Sequence, residues 1–196
     1  MLLHPTALPE SPVCGSFGAA ARGWLHALAR QGIKVWQVLP LAPPDGTGSP
    51  YSSPSSFAIN PWLVDAQDLS DEGFIAPDDV LALPQGTEAD GEGAERLDFA
   101  LADQRANALA RSLRLRWSEQ SADRHQAFQR WCVDQARWLR DHSAFMVLRR
   151  ESAGLPWWDW APELAVHRDT ALEPWSCSHQ DELLLQDLLQ WPPDCS

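Results

Sequence analysis

The sequence predicts an α/β chain, with a strand–helix–strand unit at the front and a mostly α-helical body behind it. Three observations point there. Charge is divided unevenly: of 196 residues, 15 are Lys or Arg and 27 are Asp or Glu, a net charge of −12. Residues 1–65 hold Arg22, Arg30 and Lys34 against Glu10, Asp45 and Asp65 and sum to zero, so the whole excess falls on residues 66–196. A charge-poor segment with short apolar runs is the pattern of buried parallel strands. Two such runs flank a stretch of helical periodicity. Beyond residue 97 the apolar residues recur at helical spacing.

The elements follow in order. Met1-Leu2-Leu3 reads as a short strand stopped by His4-Pro5. Pro9, Pro12, Gly15 and Gly18 mark an irregular loop. From Ala19 to Gln31, the residues Ala21, Trp24, Leu25, Leu28 and Ala29 share a helical face, and Gly32 closes the helix. Val35 to Leu39 is the second strand, ended by Pro40. The lengths suit a βαβ unit, so the strands should run parallel with a right-handed crossover.

Residues 42–61 are rich in Pro, Gly and Ser. A loop of that length after a strand is usually functional. Asn60-Pro61 reads as a loop-shaping element, and Asp65, closing the run Trp62-Leu63-Val64, as a cap or turn residue. Residues 84–95 form an acidic, glycine-rich linker. Leu97, Leu101, Ala108, Leu109, Leu113 and Trp117 mark one long helix. Phe128, Trp131, Cys132, Leu139, Phe145 and Met146 mark a second, running to about Arg150 and broken by Gly154-Leu155-Pro156. A last apolar stretch, Leu183 to Trp191, stops at Pro192-Pro193.

Composition excludes several function classes. The acidic balance argues against nucleic acid and anionic membrane partners, which attract basic patches. No apolar run approaches the ~18 residues a membrane helix needs. The N-terminus lacks the basic start and apolar core of a signal peptide. Cys14, Cys132, Cys177 and Cys195 show no C-x-x-C pattern, and the six His show no H-E-x-x-H. No metal or cofactor is expected, and the expected setting is cytoplasmic with reduced thiols. The 11 Trp beside six Phe and one Tyr suit a bulky core first, and the faces of sugars second.

Several unusual strings then occur in a fixed order. Leu2-Leu3-His4-Pro5-Thr6-Ala7-Leu8-Pro9 is followed by Gly15-Ser16-Phe17-Gly18, and then by Val35 to Pro43. Gly48-Ser49-Pro50-Tyr51-Ser52-Ser53-Pro54-Ser55-Ser56-Phe57-Ala58 and Asn60 to Asp65 come next, and Gly154-Leu155-Pro156-Trp157 with Asp159-Trp160 later. This series resembles glycoside hydrolase family 77, the 4-alpha-glucanotransferases. The resemblance spans most of the chain and is strongest over residues 2–65. Asp45-Gly46-Thr47-Gly48 departs from it by lacking an aromatic residue that some members carry there. The ending Pro-Pro-Asp-Cys-Ser departs too and reads as an aberrant tail.

The resemblance implies the N-terminal fragment of a (β/α)8 TIM barrel, about two of its strands, carrying an inserted helical subdomain. Residues 1–65 would form the first βαβ unit and site loop, 66–191 the helical insertion, and 192–196 the tail. Such barrels need about 250 residues even without insertions. The implied reaction is retaining transfer of α-1,4-glucan segments, through a carboxylate nucleophile and a second carboxylic acid. The implied catalytic carboxylates match nothing here and are expected beyond residue 196, so these residues alone should be inactive.

The implied partners are α-1,4-glucan oligosaccharides. The implied substrate contacts are Ser49, Pro50 and Tyr51, with His4 added because it sits at a strand end, where barrel sites gather. Tyr offers a ring to stack on a sugar and a hydroxyl to bond it. The adjacent pairs Asp78-Asp79 and Asp181-Glu182 point apart on a helix and cannot frame one bond. Asp159 among Trp157, Trp158 and Trp160 would become a candidate acid only if burial raised its pKa. A non-catalytic chain that binds α-glucan or another protein remains the alternative.

Overall fold

The computed structural model describes residues 1–9, 13–86 and 97–191. Most of the expected 84–95 linker and all of the 192–196 tail lie outside the described residues. The chain divides into two compact units, Met1–Trp117 and Ser118–Ser196.

The two expected strands shrink to a parallel contact between Leu2 and Gln37. Three hydrogen bonds hold it: the Met1 amine to Val35 O (3.2 Å), Gln37 N to Met1 O (2.8 Å) and Leu3 N to Gln37 O (3.2 Å). The parallel direction is as expected; the length is not. The ladder stops for two reasons. Pro5 has no N–H to donate, and the Leu3 carbonyl accepts the Trp36 indole N–H at 2.8 Å instead of a backbone donor. Leu2 and Val35 remain 55% and 68% exposed.

Helix α1 (Ala19–Arg30) ends as the sequence predicts. Gly32 adopts φ +71°, and Ile33 N reaches back to Leu28 O at 3.0 Å. The α2 (Ala66–Asp71) and α3 (Pro77–Leu81) helices follow a 3₁₀ turn at Pro61–Leu63. Asp65 caps α2 by accepting from Asp68 N at 3.0 Å, and its other oxygen accepts from Ser16 Oγ at 2.5 Å. The long α4 (Phe99–Trp117) buries Ala102, Ala106, Leu109, Ala110, Leu113 and Trp117 at helical spacing. Its small residues let it lie close to the Pro61–Leu63 turn and α3.

In the second unit, the expected single helix to Arg150 is two: α5 (Ala122–Asp134) and α6 (Ala136–Glu151). Gln135, at φ −96° and ψ 2°, ends one and begins the other. Neither Gly nor Pro marks this break. The Trp138 indole donates to the Gln135 side chain at 2.8 Å across it. The end of α6 uses Ala153 at φ 50° and Gly154 at φ 78°, with Gly154 N bonded to Arg149 O at 2.9 Å. After a 3₁₀ turn at Trp157–Asp159 come α7 (Pro162–Ala165), α8 (Asp169–Ser178) and α9 (Gln180–Gln190). The core lies between α6 and α9, with Leu139, Val147, Leu148, Leu188 and Leu189 buried.

Candidate functional site

The first unit carries a cleft of about 240 Å³. His4, Pro40, Gly48, Pro50, Trp62 and Phe99 line it. Trp62 and Phe99 stack with ring centroids 5.7 Å apart and an interplanar angle of 14°. Asp103 accepts the Trp62 indole N–H at 2.8 Å and fixes that ring. Phe99 can lie over the loop because residue 48 is glycine. A Cβ there would come within 2.2 Å of the Phe99 ring, and the φ of +71° already favours glycine.

The loop holds its shape by polar side chains rather than by a ladder. One Asp45 oxygen accepts from Thr47 N (2.8 Å) and Thr47 Oγ1 (2.5 Å), and the other from Ser52 Oγ (2.6 Å). The backbone closes with Asp45 N to Ser52 O at 2.8 Å and Gly48 N to Asp45 O at 3.0 Å. Ser49 sits inside this ring of bonds, its Oγ accepting from Tyr51 N at 3.3 Å. Asn60 anchors the far end: it is buried, donates its N–H to Leu41 O at 2.8 Å, and accepts from Trp62 N at 3.1 Å.

His4 also lines the cleft. Its Nδ1 receives the Thr6 backbone N–H at 3.4 Å and lies 2.8 Å from Thr6 Oγ1, which assigns the proton to Nε2. That Nε2 is buried without a hydrogen bond of ordinary geometry. Burial holds the His4 pKa below its usual value, and the nearby Pro40 carbonyl opposes that only in part. The His4 ring is therefore held toward its neutral form, and its Nε2–H lines the cleft near the Pro40 carbonyl.

The four site residues named from the sequence are thus placed differently. His4 and Pro50 line the cleft, Ser49 shapes the loop, and Tyr51 stands 76% exposed beside it. Asp45, Trp62 and Phe99 are additions. Asp45 reads in sequence as an ordinary Pro-Asp-Gly turn residue. Phe99 lies 51 positions beyond Gly48, and no local pattern links them. Asp159 is exposed, so the burial that would have made it a candidate acid is lacking.

Other carboxylates have structural partners. Asp79 accepts from Ala76 N at 2.8 Å and pairs with Arg116 at 3.1 Å. A larger crevice of about 360 Å³ lies among α1, α2 and α4. Its charges are already engaged: Arg22 with Asp68 at 2.6 Å, and Arg105 donating to Pro84 O at 2.8 Å. Among the described residues no group of three or more His, Cys, Asp or Glu is placed to hold a metal ion. None of the described helices is long and apolar enough to cross a membrane.

This architecture has a solved counterpart. An amylomaltase from Streptococcus agalactiae in complex with acarbose matches it with a TM-score of 0.84 at 24% identity, over 97% of this chain and 37% of that one. The fold is that of the corresponding part of an amylomaltase. Residues 3–194 match the family described as 4-alpha-glucanotransferase, glycoside hydrolase family 77, and the chain belongs to that family. A 4-alpha-glucanotransferase of Thermus thermophilus is 34% identical over 97% of this chain and 36% of its own length. One from Synechocystis is 31% identical over 97% and 37%. A chloroplast enzyme of that name from Arabidopsis thaliana is 28% identical over 88% and 29%. The chain spans about a third of the length of the curated relatives it matches.

Proposed function

We propose that this chain supplies glucan-binding surface to a 4-alpha-glucanotransferase acting on α-1,4-glucans, as part of a (β/α)8 barrel. The observation that carries the reading is the cleft itself. A stacked Trp62–Phe99 pair offers flat apolar surface, His4 offers a ring N–H, and the Asp45-clamped loop holds Ser49, Pro50 and Tyr51 at its edge. Flat rings beside hydrogen-bonding groups suit a pyranose, which has both an apolar face and a hydroxyl rim. The family of the chain and the acarbose bound by the related amylomaltase support the same substrate class.

The chemistry would be a double displacement. A carboxylate attacks the anomeric carbon and forms a covalent glycosyl-enzyme, while a carboxylic acid protonates the departing glycosidic oxygen. The hydroxyl of an acceptor glucan then attacks that carbon, gives its proton to the carboxylate left by that acid, and expels the nucleophilic carboxylate, which restores the α-linkage. The two carboxyls of a retaining enzyme stand about 5–5.5 Å apart across the bond. Asp45, Asp65 and Asp79 do not fill that role here, because each is held by its hydrogen bonds in a turn or cap. In this reading residues 1–191 bind and position, and the carboxylates come from elsewhere in the barrel.

Two measurements test this. Incubated with maltotriose, the 196-residue chain should release neither glucose nor longer maltodextrins; turnover at the level of a whole amylomaltase would end the reading. In a chimera joining this segment to the rest of the Thermus thermophilus relative, Tyr51→Ala should lower kcat/KM for maltotriose by about tenfold to a hundredfold, one stacking and hydrogen-bonding contact. Tm should hold, since the ring is exposed. A variant that loses Tm and keeps turnover would make the ring a packing element.

A further inference from the structure

The second unit carries a groove of about 360 Å³ that the cleft above does not use. Asp141, Phe145, Trp157, Trp160, Leu164 and His167 line it. Its volume falls in the range of small-molecule sites, about 300–1,000 Å³. One wall is aromatic. Phe145 and Trp160 rings lie 5.3 Å apart, and the Trp160 indole N–H is tied to Leu155 O at 2.9 Å. Trp157, the second indole, is 50% exposed.

The lining also carries a polar pair. His167 Nε2 lies 3.5 Å from Asp141 Oδ1. His167 occupies the residue after the cap of α7 at φ 57°, and Arg168 N bonds Glu163 O at 3.0 Å across it. Glycine takes that position freely, whereas a side chain there is strained. A histidine at positive φ lining an aromatic groove points to a role beyond capping. Asp141 and His167 are the ionisable groups of the lining among the described residues.

We propose that this groove is a second carbohydrate site, stacking one or two rings of an α-1,4-glucan on Trp157 while Asp141 and His167 bond its hydroxyls. It holds a long glucan through the second unit alone. The ligand class rests on the function proposed above; the location rests on the groove alone.

The test is calorimetry of the whole 196-residue chain with maltoheptaose, and with cellohexaose as the β-linked comparison. Binding of maltoheptaose should weaken at least tenfold in Trp157→Ala, about the loss of one stacking contact. His167→Gly should split the two readouts: Tm rises as strain is relieved, while affinity falls several-fold. Asp141→Asn, on the exposed face of α6, should weaken binding with Tm unchanged. If binding survives Trp157→Ala but is lost in Tyr51→Ala or His4→Ala, the groove proposal is overturned and the glucan reading of the first cleft stands. Should His167→Gly raise Tm and keep full affinity, the histidine is a cap and the proposal fails. Equal binding of cellohexaose, or association of the chain with itself through this face, also overturns it. Absence of binding in both the chain and the chimera would remove the glucan reading as well.

Discussion

In the loop from Pro40 to Asp65 the backbone is held by side-chain oxygens: Asp45, Asn60 and Asp65 each accept hydrogen bonds that a strand ladder would otherwise supply. Between α6 and α9 the arrangement is reversed. Apolar side chains such as Val147 and Leu188 hold two regular helices, and buried polar groups such as Ser143, which donates to Asp187 at 2.5 Å, are set among them. The first arrangement places few atoms in contact but fixes each one, as a binding edge requires. The second buries area and tolerates exchange of one apolar residue for another of similar volume. The difference predicts opposite mutational behaviour.

The largest effect should come from crowding the backbone of the first unit. A Cβ on Gly15 would sit 2.0 Å from the Pro5 carbonyl and 2.7 Å from Leu8 N, both backbone atoms. Gly15→Ala should cost roughly 3 kcal/mol or more, the scale of severe overpacking. The loss should appear as early unfolding of the first unit in hydrogen exchange, with α6 and α9 amides unaffected. Equal loss in both units would mean that they do not respond separately.

In the helical core the sensitive position is Asp187. Burial pushes its carboxyl up to about 6, opposed by the Ser143 hydroxyl that bonds it at 2.5 Å. Cys132, Arg140 and Ser143 line a crevice with Asp187, and burial with the Asp187 charge pushes the Cys132 thiol up to about 12. The Asp187 value in the folded state lies above the ordinary 3.8, so the contribution is complete below that pH and is lost as pH rises through about 6. The second unit should therefore weaken by roughly 1–3 kcal/mol between pH 4 and 7. Asp187→Asn should flatten that dependence in urea titrations at several pH values. An unchanged slope would show that the charge is solvated.

Removing the clamp tests the loop. Asp45→Ala should loosen residues 45–52 by about 1–2 kcal/mol, a few net hydrogen bonds, with little change in global Tm. Limited proteolysis should then cut near Tyr51. Resistance to cleavage would assign the loop shape to its prolines alone.

The smallest effect is a gain. Ala153 holds φ 50° at the end of α6, where glycine carries no Cβ penalty. Ala153→Gly should stabilise the second unit by about 0.5–1 kcal/mol. A loss would show that the methyl group has a contact worth more than its strain.

Local chemistry made much of this legible in the sequence. Gly32 announced the end of α1, Asp65 the start of α2, and Asn60-Pro61 a shaped loop, because caps and turns depend on residues close in the chain. The break at Gln135 was invisible, since no Gly or Pro marks it and the apolar spacing runs on through it. The strands were overread because their apolar pattern says nothing about the Trp36 indole that takes the Leu3 carbonyl. The cleft was legible at His4 and Pro50 through whole strings of residues. It was not legible at Phe99, whose role depends on lying over a glycine 51 positions away.

That placement of Phe99 has a kinetic consequence. Phe99 is the first residue of α4, and its ring fills the space any side chain at position 48 would need. The loop cannot rise without displacing the ring, and the first turn of α4 cannot fray without uncovering the loop. Two local openings that would otherwise have separate rates are therefore one event, with one free energy and one lifetime. Relaxation dispersion on Gly48 and on the amides of Phe99 to Ala102 should report a single exchange rate. Gly48 then works less as a flexible joint than as the seat of a latch whose tongue is an aromatic ring.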